Sequence, residues 1–104
     1  MMETRRERIL IHVDPDLEDL VPLFVANRER DIVTLRDAIA RGDLQTVQDI
    51  GHSMKGAGGG YGFDRVTDLG DALEIAAKQG NAEPLARLVD ELEDYMQRVE
   101  VSFD

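Results

Sequence analysis

A histidine, a lysine and a run of glycines form the part of the sequence best suited to chemistry. Lys55 follows His52 by three residues, and segment 56–62 reads Gly-Ala-Gly-Gly-Gly-Tyr-Gly. A neutral imidazole is a competent nucleophile near neutral pH, because an unperturbed His has a pKa of about 6.5. An ammonium group one helical turn away would stabilise the charge of a phosphoryl group in transfer. The pattern therefore indicates phosphoryl transfer through His52, with Lys55 stabilising charge.

The surroundings of His52 follow from placing residues 44–61 on a helix at about 100° per residue. His52 then lies opposite an apolar face. That apolar face consists of Val47, Ile50, Met54 and Tyr61, and the face of His52 holds Gln45, Gln48, Lys55, Gly56 and Gly59. Because a backbone without side chains lets a partner approach closely, we predict that the two glutamines and two glycines form a docking surface around an exposed imidazole.

The glycine run has two interpretations. Each glycine inside a helix costs ~0.8–1.0 kcal/mol relative to alanine, so the segment is either a loop or a helix that needs bare backbone. A loop that cradles phosphate is the functional form of the first interpretation. However, residues 56–62 fit no G-x-G-x-x-G register, and no Lys follows a Gly as a Walker A loop requires. We therefore favour the helix.

The elements that must position these residues are predicted as helices, because apolar residues recur at three- and four-residue steps. Strand signals are weak, so we predict an all-α fold. The predicted helices are Leu17–Arg41, with a short lead-in over Leu17–Val21 and the long part from Pro22 onward, then Asp43–Tyr61, Asp64–Gln79 and Glu83–Phe103. Asp43 is the predicted N-cap of the second helix and Gly80 the predicted C-terminal stop of the third.

Glu74 joins the candidate site through a counting argument. If the second and third helices form a hairpin that turns near Phe63, residues equidistant from the turn lie side by side. His52 comes eleven residues before Phe63 and Glu74 eleven after it. We expect Glu74 to orient an imidazole N–H or to stabilise a cationic imidazole. Asp68 and Asp71 recur with Glu74 at three-residue steps, which we assign to a solvated helix face and not to a metal site.

Composition excludes several classes of function. The chain has 104 residues, a formal net charge of −10 and no cysteine. The charge argues against nucleic acid as a partner, because phosphate contacts need clustered Lys and Arg. No segment has the length of a transmembrane helix or of a secretory h-region, so we expect a cytoplasmic protein. A chain of this size also leaves no room for a nucleotide-binding site beside the predicted helices. We therefore expect the phosphoryl group to come from another protein.

The residues of the candidate site resemble a family signature. Residues 52–56 read His-Ser-Met-Lys-Gly and are followed by Gly62, which is similar to the H-x-x-K-G-x-x-x-x-x-G pattern of histidine-containing phosphotransfer (HPt) domains. The resemblance covers about Asp14 to Phe103. One departure is Gly60, which stands where a polar residue, often Asn, is common in the family.

This resemblance implies an antiparallel up-down four-helix bundle over residues 14–104, preceded by an N-terminal tail over residues 1–13. It implies a phosphoryl carrier without a kinase site of its own. Its partners would be receiver domains of response regulators and a sensor or hybrid histidine kinase, and the receiver would supply Mg²⁺, so no bound cofactor is expected. No exposed apolar seam demands a dimer, and we expect a monomer.

Three alternatives stay open at this point. The same histidine would serve as the phosphoacceptor domain of a chemotaxis-type histidine kinase. A helical adaptor that binds a receiver without accepting phosphate would share the docking surface. A bundle that binds a metal or another ligand is a third, weaker class.

Overall fold

Four helices dominate the chain in the computed structural model, which describes residues 7–104. The helices are α1 (Val21–Arg41), α2 (Leu44–Gly58), α3 (Asp64–Lys78) and α4 (Leu85–Arg98). Short 3₁₀ helices, Pro15–Leu20 and Gly59–Tyr61, come before α1 and after α2. The mostly helical chain agrees with the expected helical bundle. None of the helices described is both long and apolar enough to cross a membrane.

The helix α2 runs through most of the glycine segment. The Asp43 carboxylate accepts a hydrogen bond from the Thr46 backbone N–H at 3.1 Å, as expected of an N-cap. Hydrogen bonds from the Thr46 hydroxyl and backbone N–H lower the pKa of Asp43. The α-helix ends at Gly58, and only Gly59–Tyr61 tightens into a 3₁₀ turn before Gly62 adopts φ of 84°. The loop interpretation of this segment is therefore wrong.

The chain around Pro22 differs slightly from the expected lead-in helix over Leu17–Val21. A 3₁₀ helix covers Pro15–Leu20, and α1 begins at Val21 with Pro22 in its first turn. Proline is tolerated at that position because the first N–H groups of a helix have no intrahelical acceptor.

The predicted helix Glu83–Phe103 is wrong beyond Arg98. The last residues form strand β2 (Val99–Phe103), which pairs in parallel with β1 (Ile9–Val13), so the fold is not purely α. Apolar residues alternate with Glu100 and Ser102 along β2, which is the period of a strand. The same residues also continue the three- and four-residue spacing of α4, so residues 99–103 fit both a helix and a strand. They form a strand because they pair with β1, near the other end of the chain.

The region predicted as a tail over residues 1–13 contributes its last five residues to this sheet. Val13 is buried in the core, and the carbonyl oxygen of His12 lies 3.0 Å from where a Cβ would stand on Gly62. The first strand therefore passes directly over the turn between α2 and α3. Residues 1–6 of the predicted tail lie outside the described residues.

Apolar stripes of the four helices meet in one core. The fully buried large side chains include Leu35 of α1, Met54 of α2, Leu69 and Leu73 of α3, and Leu85 and Leu92 of α4. Phe63 closes the end of the core near the α2–α3 turn, where its ring stacks on Phe24 at a centroid distance of 4.4 Å. The predicted apolar face of α2 packs into this core through Val47 and Met54, which leaves the face of His52 to solvent.

Three glycines set the spacing of α2 and α3. A Cβ on Gly51 would lie 2.7 Å from the carbonyl oxygen of Gly70, and a Cβ on Gly70 would lie 2.7 Å from the Lys55 backbone nitrogen. Further along, a Cβ on Gly58 would lie 2.8 Å from the Thr67 backbone nitrogen. These contacts run in opposite order along the two helices, which therefore form an antiparallel hairpin with touching backbones.

This packing predicts opposite effects of alanine at two glycines. Gly70→Ala should lower the free energy of unfolding by about 1–3 kcal/mol, because backbone atoms on α2 must move to admit the methyl group. Gly56→Ala should leave stability unchanged or raise it by up to about 1 kcal/mol, because its Cβ would meet no atom within 4 Å and alanine favours the helix. Urea denaturation of both variants measures the difference, and equal stabilities would contradict the role of Gly70.

Candidate functional site

His52 lies on the solvent-exposed face of α2, and a carboxylate of α3 contacts its ring. Its side chain is 72% exposed, and its Nδ1 lies 3.0 Å from Oε2 of Glu74 on α3. An ionised carboxylate only accepts hydrogen bonds, so the hydrogen of this contact must belong to Nδ1. In a neutral imidazole the lone pair is then on Nε2. The contact thus orients the ring and leaves Nε2 as the reactive nitrogen.

Glu74 is a buried carboxylate surrounded by three basic side chains. Only 8% of its side chain is exposed, and its oxygens lie 3.0 Å from His52 Nδ1 and 3.5 Å from both Lys55 Nζ and Lys78 Nζ. Burial raises the pKa of Glu74, but the hydrogen bond with His52 and the charges of the two lysines outweigh burial and hold that pKa below its ordinary value of 4.5. Glu74 is therefore ionised at neutral pH.

The expected position of Glu74 agrees with the structure, because the α2–α3 hairpin turns near Phe63. Two antiparallel helices rise equally per residue, so residues equidistant from the turn lie side by side whatever their side chains.

Lys55 is engaged on the α3 side of the site. Its Nζ lies 3.3 Å from Oδ1 of Asp71 and 3.5 Å from Oε1 of Glu74. The hydrogen bond and charge of Asp71, together with the charge of Glu74, raise the pKa of Lys55. An ammonium group is therefore present beside the His52–Glu74 pair at neutral pH, one helical turn beyond the imidazole.

Asp71 contacts Lys55 at this site, although sequence reasoning assigns it only to a solvated helix face and misses the contact. Its position follows from the same spacing as that of Glu74. Lys55 comes eight residues before Phe63 and Asp71 eight after it, so the same counting that paired Glu74 with His52 also pairs Asp71 with Lys55.

The two predicted docking glutamines lie on the other side of His52, toward the start of α2. Gln48 lines an open hollow of about 440 Å³ together with Asp49, His52 and Glu74. Gln45 donates a hydrogen bond from Nε2 to Oδ1 of Asp49 at 2.9 Å. Asp49 was not singled out in the sequence, although it precedes His52 by one helical turn.

The two predicted docking glycines are open in the structure. A Cβ on Gly56 would meet no atom within 4 Å, and one on Gly59 would lie 3.7 Å from the Thr67 hydroxyl, an ordinary contact. Neither position therefore needs glycine for packing within the chain, unlike Gly51, Gly58 and Gly70. What these two residues provide is exposed bare backbone, at Gly56 on α2 and at Gly59 in the 3₁₀ turn that follows it.

Taken together, the site can transfer an anionic group to an exposed nitrogen. The lone pair of His52 Nε2 faces away from Glu74, which contacts the other ring nitrogen, and Lys55 places positive charge nearby. Within residues 7–104, no group of three or more His, Cys, Asp or Glu side chains is arranged to hold a metal ion.

The low pKa of Glu74 predicts how stability depends on pH. A carboxyl whose pKa is lower in the folded state contributes stability above its unfolded pKa, and this contribution is lost as the pH falls through the folded pKa. We expect the difference in unfolding free energy between the wild type and Glu74→Gln to shrink as the pH falls through 4.5 and below. Urea denaturation across this range measures it.

A titration of the Glu74 carboxyl carbon by NMR provides the matching control. Lys78→Met removes one of the cations and should move the Glu74 midpoint upward. A wild-type midpoint at or above 4.5 would contradict the charge arrangement described for this site.

Comparison with family models identifies a match over most of the chain. The family model for the Hpt domain matches residues 19–102, from the 3₁₀ helix before α1 to strand β2. No curated protein and no solved structure matches the chain. The family match covers most of the chain and includes the exposed histidine, the lysine one turn later and the glycine segment. The chain belongs to the Hpt domain family, whose members are phosphoryl carriers of phosphorelays.

Proposed function

We propose that the chain is a histidine phosphotransfer protein in which Nε2 of His52 accepts a phosphoryl group and passes it on. The donor is a receiver aspartate or a sensor or hybrid histidine kinase, and the acceptor is the aspartate of a response-regulator receiver domain. The observation that carries the proposal is the bond between His52 Nδ1 and buried Glu74, since it leaves Nε2 free on an exposed helix face.

The transfer step follows from this hydrogen bond. The lone pair of His52 Nε2 attacks phosphorus, the phosphorus–oxygen bond of the aspartyl phosphate breaks, and the aspartate carboxylate leaves with the electron pair. The proton stays on Nδ1, so the phosphorylated ring carries positive charge that the Glu74 carboxylate stabilises. In the return step the ring leaves as a neutral imidazole, because Nδ1 already holds its proton. The same contact therefore supports both directions.

Lys55 and the partner supply the remaining charge stabilisation. The Lys55 ammonium pairs with the phosphoryl oxygens, whose negative charge is spread over three atoms in the transition state. The receiver brings Mg²⁺ and most other catalytic groups, as the family resemblance implies. The chain therefore contributes a nucleophile and its support, and acts as a reversible carrier.

The partner approaches over the exposed side of α2. Gln45 and Gln48 lie before His52, and Gly56 and Gly59 lie after it, so the backbone of a receiver can approach closely on the glycine side while its aspartate reaches Nε2. We further propose an up-down arrangement of all four helices, a monomeric state and a cytoplasmic location, which suit a carrier that must diffuse between partners.

His52→Gln should abolish phosphoryl labelling by a phosphorylated receiver domain with Mg²⁺. The matched control is His12→Gln, which removes the other histidine of the chain and lies on β1, where its Nδ1 contacts Asp104. The control should be labelled like the wild type. Equal labelling of His52→Gln and wild type would overturn the assignment. Mass spectrometry without acid, which preserves phosphohistidine, should find the label in the wild type and would exclude a non-catalytic adaptor.

Gly56→Leu should slow transfer from the receiver about tenfold or more, which corresponds to a barrier increase of about 1.4 kcal/mol. A leucine there obstructs the partner backbone but not a small donor, so loading of His52 by phosphoramidate should be unchanged. Ala86→Leu places the same side chain at an exposed position on α4 and is the control. Equal receiver rates for both variants would contradict close approach over Gly56.

A further inference from the structure

The ammonium group of Lys55 contacts the carboxylates of Asp71 and Glu74, and the contact with Asp71 is the easier one to break. Glu74 is buried and also contacts His52 and Lys78, so its position is fixed from three sides. Asp71 lies at 3.3 Å from Lys55 Nζ, and 45% of its side chain is exposed. Asp71 can therefore exchange Lys55 for water at low cost, whereas Glu74 cannot.

Charge counting indicates what happens when His52 is phosphorylated. Before phosphorylation the cluster contains the ammonium groups of Lys55 and Lys78 and the carboxylates of Asp71 and Glu74, which balance. The phosphoryl group itself brings about 1.5 to 2 negative charges and three strong acceptor oxygens, and the positive charge of the phosphorylated ring, which faces Glu74, offsets only part of them. These oxygens and the Asp71 carboxylate then compete for the same ammonium, and Asp71 also repels them.

We propose that Asp71 is a positioning residue that competes with the phosphoryl group for the Lys55 ammonium and thereby keeps phosphorylated His52 ready to donate. This inference rests on the proposed phosphotransfer function. With Asp71 present, Lys55 stays partly paired with the Asp71 carboxylate and stabilises the phosphoryl group less. Without it, Lys55 pairs fully with the phosphoryl group, and the phosphorylated state becomes a poorer donor.

The test measures the equilibrium constant for phosphoryl exchange between the chain and a receiver domain that labels the wild type. Asp71→Asn should shift this equilibrium toward phosphorylated His52 by about two- to fivefold, which is the range of an exposed ion pair. Asp68→Asn removes an exposed charge from the same helix one turn earlier and should cause no shift. Asp71→Glu keeps a carboxylate at this position and should have the wild-type equilibrium constant.

A double-mutant cycle with Lys55→Met separates action through Lys55 from a general charge effect. In that background most of the shift caused by Asp71→Asn should disappear, because only the direct repulsion between Asp71 and the phosphoryl group remains. Because an equilibrium is measured, slower exchange in the Lys55 variant only lengthens the incubation. A full shift without Lys55, equal shifts for Asp71→Asn and Asp68→Asn, or no shift for Asp71→Asn would each overturn the proposal.

The same assay distinguishes this failure from failure of the proposed function. A wild-type chain that accepts no phosphoryl group at His52 overturns both. A labelled wild type combined with any of the three adverse results overturns only the role of Asp71.

Discussion

The close contact between the backbones of α2 and α3 is the constraint on which the site depends. Gly51 and Gly70 let the two helices approach until the carbonyl oxygen of each lies 2.7 Å from where the other's Cβ would be. At this separation the side chain of Glu74 on α3 reaches the ring of His52 on α2 while remaining buried. A wider hairpin would admit water between them, and the carboxylate would lose its hold on the imidazole.

The buried carboxylate is tolerated because it is fully paired. An isolated charge in such a place loses its hydration, and its partners must offset that desolvation. Glu74 has His52, Lys55 and Lys78 around it, each contributed from the α2–α3 hairpin. The network therefore links the stability of the hairpin to the chemistry of the imidazole, since the interactions that keep Glu74 ionised also determine which ring nitrogen is free.

Much of this arrangement is predictable from spacing. The helical period of α2 determines that His52 points away from the core, and counting from Phe63 determines that Glu74 lies beside it. The same counting reaches Asp71, which was overlooked because acidic residues at three-residue steps are usually solvated. The same period separates the glycines, because it places Gly56 on the face of His52 and Gly58 on the apolar side of α2. The structure adds that Gly58 packs directly against the backbone of α3, while Gly56 faces open space.

The sequence by itself determined the four helices, the exposure of His52 and the family, because these depend on local periodicity and on a compact motif of defined spacing. The tertiary structure decided the parallel pairing of β1 with β2, which joins residues 9–13 to residues 99–103 across the whole chain. It also decided that Lys55 is shared by two carboxylates. Both are contacts between segments far apart in sequence, and their energies depend on distances that no local pattern encodes.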